Sequence, residues 1–110
     1  MTTRKSTLGL SVVDAGATTL IYASGTLDIA TVDQFEARVM AAFERGQEVL
    51  ADVSELVLCD STGLGAMVRL HRLAQSMQRQ FGLRDPRRHV ADLLAMTGID
   101  KVIPVVSSAG

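Results

Sequence analysis

The sequence has few aromatic residues, a single cysteine and no long apolar segment. Among its 110 residues are three Phe, one Tyr and no Trp, so we expect Leu, Val, Ile, Met and Ala to form the core. The lone Cys59 excludes an intramolecular disulfide and is typical of a reducing compartment, so we expect a cytoplasmic protein. No run of about 18 apolar residues occurs, and we therefore expect no insertion into a membrane.

The charges are nearly balanced, which does not favour a nucleic-acid partner. The chain has 11 basic and 12 acidic residues, whereas a surface that binds phosphate backbones usually carries a basic stripe. Hydrophobic residues make up 47% of the sequence, which argues against disorder, and the length allows one core but not two. We expect a single domain over residues 1–110, with its core at about 8–106 and short flexible termini.

Strand and helix patterns alternate along the first half of the chain. Alternating apolar residues predict a strand at Leu8–Val12, and the run Thr19–Ala23 predicts a second one. The two should pair antiparallel because a short turn joins them. Thr31 followed by Gln34 has the pattern of a capping box and predicts the start of a helix, and Gly46 marks its end.

The second half predicts further strands and two further helices. The expected elements are a strand at Val49–Val53, a turn at Ser54–Glu55, a segment Leu56–Cys59 that leads into Asp60, a helix Thr62–Met77, a strand Phe81–Arg84, a third helix that Gly98 ends, and an edge strand within Val102–Val106. Alternation of this kind implies parallel pairing and right-handed crossovers. The predicted fold is a small α/β domain with a mixed, mostly parallel sheet of four to five strands packed with about four helices.

Residues 60–65 read Asp-Ser-Thr-Gly-Leu-Gly and lie where a strand passes into a helix. A helix N-terminus presents unpaired backbone N–H groups and partial positive charge, which favour an anion. The hydroxyl of Ser61 could therefore cap the helix, act as a nucleophile or carry a phosphate. Single capping residues are common at helix starts, but three in succession, Asp60, Ser61 and Thr62, exceed what one helix end requires.

The glycines and the helical wheel add to this motif. Gly63 and Gly65 each disfavour the helix by about 1 kcal/mol relative to Ala, and we interpret them as places where another backbone or a phosphate comes close. One arc of the wheel points away from the core and contains Ser61, Leu64, Gly65, Val68 and Arg72. Single exposed apolar residues need no explanation, but aliphatic residues clustered beside a modifiable hydroxyl indicate a surface that binds a partner.

Patterns for catalysis, metal binding and nucleotide binding are missing. Cys59 stands where a nucleophile elbow would have Gly, and His71 and His89 are predicted on polar faces of separate helices. These residues have no zinc-binding spacing, and neither Gly-x-x-x-x-Gly-Lys nor Gly-x-Gly-x-x-Gly occurs. We therefore expect no enzyme, no catalytic residue, no bound metal and no cofactor.

Three segments resemble the STAS domain of bacterial anti-sigma factor antagonists. They are Gly25–Thr31 (Gly-Thr-Leu-Asp-Ile-Ala-Thr), Val49–Ser54 together with Asp60–Gly65, and Leu94–Asp100 (Leu-Ala-Met-Thr-Gly-Ile-Asp). The resemblance extends over nearly the whole chain, from about Leu8 to Val106. Its most specific part is the Asp-Ser-Thr-Gly-Leu-Gly sequence, and the three motifs occur in the right order and spacing.

The resemblance implies a phosphorylation switch. In that family the serine after the aspartate is phosphorylated by the cognate anti-sigma factor, a kinase with a histidine-kinase-like ATPase fold. Ser61 is the implied phosphorylation site, with Thr62 a less favoured acceptor. The unmodified protein would bind the anti-sigma factor and thereby free the sigma factor. The phosphorylated protein would release the anti-sigma factor, and a metal-dependent Ser/Thr phosphatase would restore the unmodified form. The expected partner-binding residues are Asp28, Asp60, Thr62, Gly63, Leu64, Gly65, Val68 and Arg72.

Two other functions stay open at this point. A STAS module that is never phosphorylated could be a structural subunit of a transport or signalling assembly, with Ser61 only a helix cap. A small hydrolase could use Ser61 or Cys59, but it would need a general base within hydrogen-bond reach. Incorporation of phosphate from ATP tests the first alternative, and labelling by a serine-reactive probe tests the second.

Overall fold

The computed structural model of the protein describes residues 7–108, and the expected flexible termini fall largely outside them. These residues form five strands, three α-helices and one 3₁₀ turn. The strands are β1 (Leu8–Ala15), β2 (Thr18–Leu27), β3 (Glu48–Cys59), β4 (Phe81–Arg84) and β5 (Val105–Val106). The helices are α1 (Val32–Glu44), α2 (Ser61–Ser76) and α3 (Arg88–Met96), and the 3₁₀ turn spans Ile99–Lys101.

The strands lie in chain order in one mixed sheet. β1 and β2 pair antiparallel through a tight turn in which Gly16 has a φ of 79° and donates its N–H to the Asp14 carboxylate at 3.0 Å. The other three strand pairs are parallel. This arrangement confirms the predicted fold class, and β5 is the short edge strand that follows Pro104.

β3 is one continuous strand of 12 residues, so the predicted turn at Ser54–Glu55 is wrong. The carboxylate of Asp52 accepts hydrogen bonds from the N–H and hydroxyl of Ser54, at 3.0 and 2.6 Å, which is the local pattern of a turn. Register shifts between β2 and β3 take up the extra residues as bulges, so the strand continues. As a result Cys59 is paired with Leu27, and the two strands end at the same edge of the sheet.

α1 and α2 pack against each other and against one face of the sheet. The apolar residues of this core include Ile21, Ala51 and Val53 from the strands, Phe35 and Phe43 from α1, and Met67 and Leu70 from α2. The ring of Phe81 meets both other Phe rings edge to face, with centroids 6.5 Å apart in each pair. Aliphatic side chains and three Phe therefore build the core, as the composition predicts.

The opposite face of the sheet carries a polar cluster that joins three strands. The Nε of Arg84 donates to Asp52 at 2.8 Å, and its Nη2 donates to the Tyr22 hydroxyl at 3.1 Å. Burial acts to raise the pKa of Asp52, but hydrogen bonds from Ser54 and Arg84 outweigh it, and the pKa lies below its ordinary value. These hydrogen bonds join β2, β3 and β4 on this face of the sheet.

Candidate functional site

The candidate site lies at the edge where β2 and β3 end side by side. Leu27 and Cys59 are paired across these strands, and the N–H of Asp60 donates to the carbonyl of Leu27 at 3.3 Å. Asp28 and Asp60 therefore follow neighbouring parallel strands, whose spacing is about 5 Å. The structure places these two acidic residues at the same sheet edge, next to the start of α2.

Asp60 caps α2. Its backbone is extended (φ −95°, ψ −173°), and its carboxylate accepts a hydrogen bond from the N–H of Gly63 at 3.0 Å. Its carbonyl accepts the N–H of Leu64 at 2.9 Å. Because Asp60 supplies the side-chain cap, Ser61 stands as the first helical residue and is exposed, while Thr62 is half-buried.

Gly63 is required by close packing of α2 on the strand ends. A Cβ at this position would lie 2.8 Å from the sulfur of Cys59 and 2.8 Å from the carbonyl oxygen of Leu27. Of the two interpretations of this glycine, close approach of another backbone is the one that the structure shows. Gly65 differs, since a Cβ there would meet Arg69 Nη1 at an ordinary 3.6 Å.

The prediction that Leu64 lies on the outward arc of α2 is wrong. Leu64 is 8% exposed and belongs to the hydrophobic core. The reason is that α2 packs against α1 as well as the sheet, so its buried stripe is wider than the arc that the wheel assigned to the core. On the same arc Val68 is half-buried, and Ser61 and Arg72 are exposed.

The structure does not bring all the predicted partner-binding residues together. Arg72 follows Ser61 by 11 positions, which is about 16 Å along the helix axis. Val68 and Arg72 line a separate groove between α2 and the segment after α3, together with His71, Gln75, Gly98 and Val102. Asp28, Asp60, Ser61 and Thr62 lie at the strand ends and the first turn of α2.

Ile29 is an exposed apolar residue beside the site that the sequence did not predict. Ile29 follows Asp28 in the loop between β2 and α1, and it is 80% exposed. The loop is held by Asp28, whose carboxylate accepts the N–H of Ala30 at 2.9 Å. An isolated isoleucine in a loop belongs to no periodic pattern, so its exposure gave no sequence signal.

The predicted capping box at α1 is also wrong, because the side chain of Thr31 bonds within the loop between β2 and α1. Thr31 makes no side-chain cap bond to α1. Its hydroxyl instead donates to the carbonyl of Thr26 at 2.8 Å and accepts the N–H of Asp28 at 3.0 Å. Thr31 therefore fixes the loop that presents Asp28 and Ile29, and we call the surface formed by Asp28, Ile29, Asp60 and Ser61 the Ser61 edge.

Cys59 is a buried cysteine whose thiol is protonated. Burial, with a further contribution from the Asp60 carboxylate, raises the pKa of its thiol to about 12. Because the thiolate is the reactive form, Cys59 does not act as a nucleophile near neutral pH.

His71 lies half-buried on α2 and His89 lies exposed on α3. Residues 7–108 contain no group of three or more His, Cys, Asp or Glu that could hold a metal ion.

Comparison with known proteins establishes the family. The family model described as "Mlab, STAS domain" matches residues 10–106, and the chain therefore belongs to the STAS domain family. No curated protein matches the sequence. In the part of the chain that the structure describes, no helix is long and apolar enough to cross a membrane.

Several solved structures share the fold. An anti-sigma factor antagonist from Mycobacterium paratuberculosis is 20% identical with a TM-score of 0.81, over 91% of this chain and 86% of that one. SpoIIAA in its unphosphorylated form is 19% identical with a TM-score of 0.76, over 92% and 90%. The Bacillus cell fate determinant SpoIIAA in its phosphorylated form is 18% identical with a TM-score of 0.70, over 92% and 94%. At these low sequence identities, the structural similarity shows a common fold.

Proposed function

We propose that this protein is an anti-sigma factor antagonist whose binding is switched off by phosphorylation of Ser61. The unmodified form binds a cognate anti-sigma factor, a serine kinase with a histidine-kinase-like ATPase fold, and thereby frees the sigma factor. The observation that carries the proposal is the exposed Ser61 at the start of α2, beside the capping Asp60. Structural neighbours that are anti-sigma factor antagonists, one of them known in phosphorylated and unphosphorylated forms, support it.

The switch consists of two group-transfer steps at one oxygen. In the first, the Ser61 Oγ–H bond breaks and an Oγ–P bond forms to the γ-phosphoryl group of ATP, which releases ADP and a proton. In the second, a metal-dependent Ser/Thr phosphatase directs water to the phosphorus, which restores the hydroxyl and releases inorganic phosphate. In the first step the Ser61 oxygen is the phosphoryl acceptor, in the second step phosphoserine is the donor and water the acceptor, and the two partner enzymes supply the catalysis.

The location of Ser61 lets the fold accept the phosphate. Phosphoserine carries about −1.5 to −2 charges at pH 7, and a helix N-terminus favours an anion through its dipole and free N–H groups. The domain should therefore keep its structure. A partner docked on the Ser61 edge would have to bury the same dianion, next to the carboxylates of Asp28 and Asp60.

The Ser61 edge has the composition of a small docking surface. Ile29 offers an exposed apolar side chain next to Asp28, and Asp28 and Asp60 follow the two strand ends beside the start of α2. Thr62 and Gly65 lie in the first turns of α2 beside it. Gly63 and Leu64 contribute through shape, because both are buried and set how closely α2 approaches the strand ends.

Substitution Ile29→Ser tests this surface. We expect it to weaken binding of the anti-sigma factor about five- to tenfold, because the loss of an apolar side chain that anchors an interface costs about 1–1.4 kcal/mol. The melting temperature should not change, because the side chain is exposed. The measurement is isothermal titration calorimetry with the purified anti-sigma factor.

Met96→Ser is the matched control for this experiment. Met96 is 81% exposed on α3, so this variant removes a similar apolar side chain away from the Ser61 edge. We expect wild-type affinity. Equal affinities for both variants and the wild type would show that the partner docks elsewhere.

A further inference from the structure

β1 leaves one edge of the sheet open, because it stands first in the strand order and pairs with β2 on one side. The Thr7 carbonyl accepts the N–H of Thr26 at 2.8 Å, and the hairpin closes at the pair Ala15–Thr18. Residues that bond inward and outward alternate along an antiparallel pair. The residues of β1 whose N–H and C=O groups point away from the sheet are therefore Leu8, Leu10, Val12 and Asp14.

This edge has none of the features that usually prevent strands from pairing between molecules. β1 is eight residues long, pairs with β2 without a register shift, and contains no proline, lysine or arginine. Within residues 7–108, no backbone hydrogen bond satisfies the outward N–H and C=O groups. β5, at the other edge, has two residues. A long regular edge strand of this kind is a template for a further strand.

The side chains of β1 are also incompletely covered. Leu8 and Leu10 are half-buried against the core, but Val12, on the same face of the strand, is 39% exposed. Val13, on the opposite face, is 45% exposed. α1 packs over β2 and β3, so β1 lies at the margin of the helix layer. A further strand beside β1 would bury apolar side chains on both faces of the sheet.

We infer that this edge pairs with β1 of a second copy of the chain, which gives a two-fold symmetric dimer with one continuous sheet. Antiparallel pairing about an axis at Ser11 places Leu8 opposite Asp14 of the second copy, and Leu10 opposite Val12. All four outward residues then exchange hydrogen bonds with their opposite residues. A shift of the register by one pair, in either direction, leaves one of the four without a partner in the other strand.

The sequence of β1 is complementary to itself in this register. Leu10 faces Val12 twice, once on each side of the axis, and such apolar cross-strand pairs stabilise a sheet. Asp14 is the only charged residue of β1 and lies opposite Leu8, with its symmetry copy about 20 Å away along the strands. Its carboxylate keeps the hydrogen bond from Gln47 Nε2 at 2.8 Å. One edge therefore serves both copies, as a two-fold interface requires.

The dimer presents two Ser61 edges. β2 and its symmetry copy run antiparallel, so the carboxyl ends of these strands lie at opposite ends of the joint sheet. If the proposed function holds, one dimer binds two molecules of the anti-sigma factor. The dimer itself does not depend on phosphorylation of Ser61.

Sedimentation equilibrium over a range of protein concentrations tests the dimer. We expect the wild type to approach twice the chain mass of 11.7 kDa. Val12→Lys should raise the dissociation constant of the dimer about tenfold, because it replaces both apolar cross-strand pairs beside the axis. Val12 is exposed in the single chain, so the variant should keep the circular dichroism spectrum of the wild type.

Val106→Lys is the matched control. Val106 is 45% exposed on β5, so this variant adds the same charge at the opposite edge of the sheet and should dimerise as the wild type does.

Cysteine cross-linking tests the register. Ser11 faces its own copy in a non-hydrogen-bonded pair, whose Cα atoms are about 4.5 Å apart and within the range of a disulfide. We expect Ser11→Cys to form an intermolecular disulfide in oxidised glutathione. Val13→Cys, exposed on the same face, should not, because the two copies of position 13 lie about 13 Å apart along the strands. The native Cys59 is buried and should give no cross-link.

Three results would overturn the inference. A wild type that sediments as a monomer at every concentration would leave this edge to a strand of another protein. A dimer weakened by Val106→Lys but not by Val12→Lys would place the contact on β5. Stronger cross-linking of Val13→Cys than of Ser11→Cys would exclude the register. All these measurements use the protein alone, so their outcome is independent of the kinase and of the proposed switch.

Discussion

The variant Ser61→Asp should bind the anti-sigma factor roughly 30- to several-thousand-fold more weakly than the wild type. Leaving a charge buried and unpaired in an interface costs about 2–5 kcal/mol, and each 1.4 kcal/mol is a factor of ten in affinity. The new carboxylate would also meet Asp28 and Asp60, which already line the Ser61 edge. Calorimetric titration with the anti-sigma factor measures the loss.

The same variant should fold as well as the wild type. An anionic residue in the first turn of a helix is stabilising by about 0.3–1 kcal/mol, so the melting temperature and the circular dichroism spectrum should be unchanged or slightly improved. Ser76→Asp is the control, because it adds the same charge at the exposed last residue of α2 and should keep wild-type affinity. Normal binding by Ser61→Asp would count strongly against the switch.

The substitution Gly63→Ala should destabilise the domain by about 1–3 kcal/mol, the usual range for overpacking a closely packed site. The added methyl group would lie 2.8 Å from the Leu27 carbonyl oxygen, which belongs to a strand and cannot move freely. α2 would have to shift away from the ends of β2 and β3. Urea denaturation at equilibrium measures the free energy of unfolding.

Gly65→Ala is the matched control two residues along the same helix. Its Cβ would make an ordinary contact with the end of the flexible Arg69 side chain, and alanine is favoured over glycine in a helix by about 0.5–1 kcal/mol. We therefore expect this variant to be slightly more stable than the wild type. Changes of the same sign and size in both variants would contradict the assigned packing of Gly63.

The regular elements could be predicted because their signals are local. The alternating residues of β1 and β2, the apolar stripe of α1 and the turn at Gly16 depend on neighbours within a few positions. The order of strands and helices then restricts the topology, because short connections favour antiparallel hairpins and longer helical ones favour parallel crossovers. The family motifs added the expected position of the site at Asp60–Gly65.

The wrong predictions concern residues whose conformation depends on contacts with residues distant in the sequence. Ser54 and Asp52 have the local pattern of a turn, but pairing with β2 keeps β3 extended through bulges. Thr31 has a capping pattern, but its hydroxyl donates a hydrogen bond to the carbonyl of Thr26 instead. A helical wheel assigns Leu64 to the outer face because it assumes one buried stripe, whereas α2 packs against both α1 and the sheet.

The docking surface was the least predictable part of the site. The exposure of Ile29 depends on how the loop after β2 is held by Asp28 and Thr31, which no spacing in the sequence encodes. The hydrogen bonds that the Thr31 hydroxyl makes with the Thr26 carbonyl and the Asp28 N–H are visible only in coordinates.

Phosphate occupancy of Ser61 in the native cell tests the central claim most directly. The protein is purified with phosphatases inhibited, divided into fractions bound to and free of the anti-sigma factor, and the peptide spanning Ser61 is quantified by mass spectrometry in each. The account predicts phosphate on Ser61 in the free fraction and unmodified serine in the bound fraction. Equal occupancy in both fractions, or no phosphate in either under any growth condition, would contradict it, and the second outcome would favour a structural subunit in which Ser61 only begins a helix.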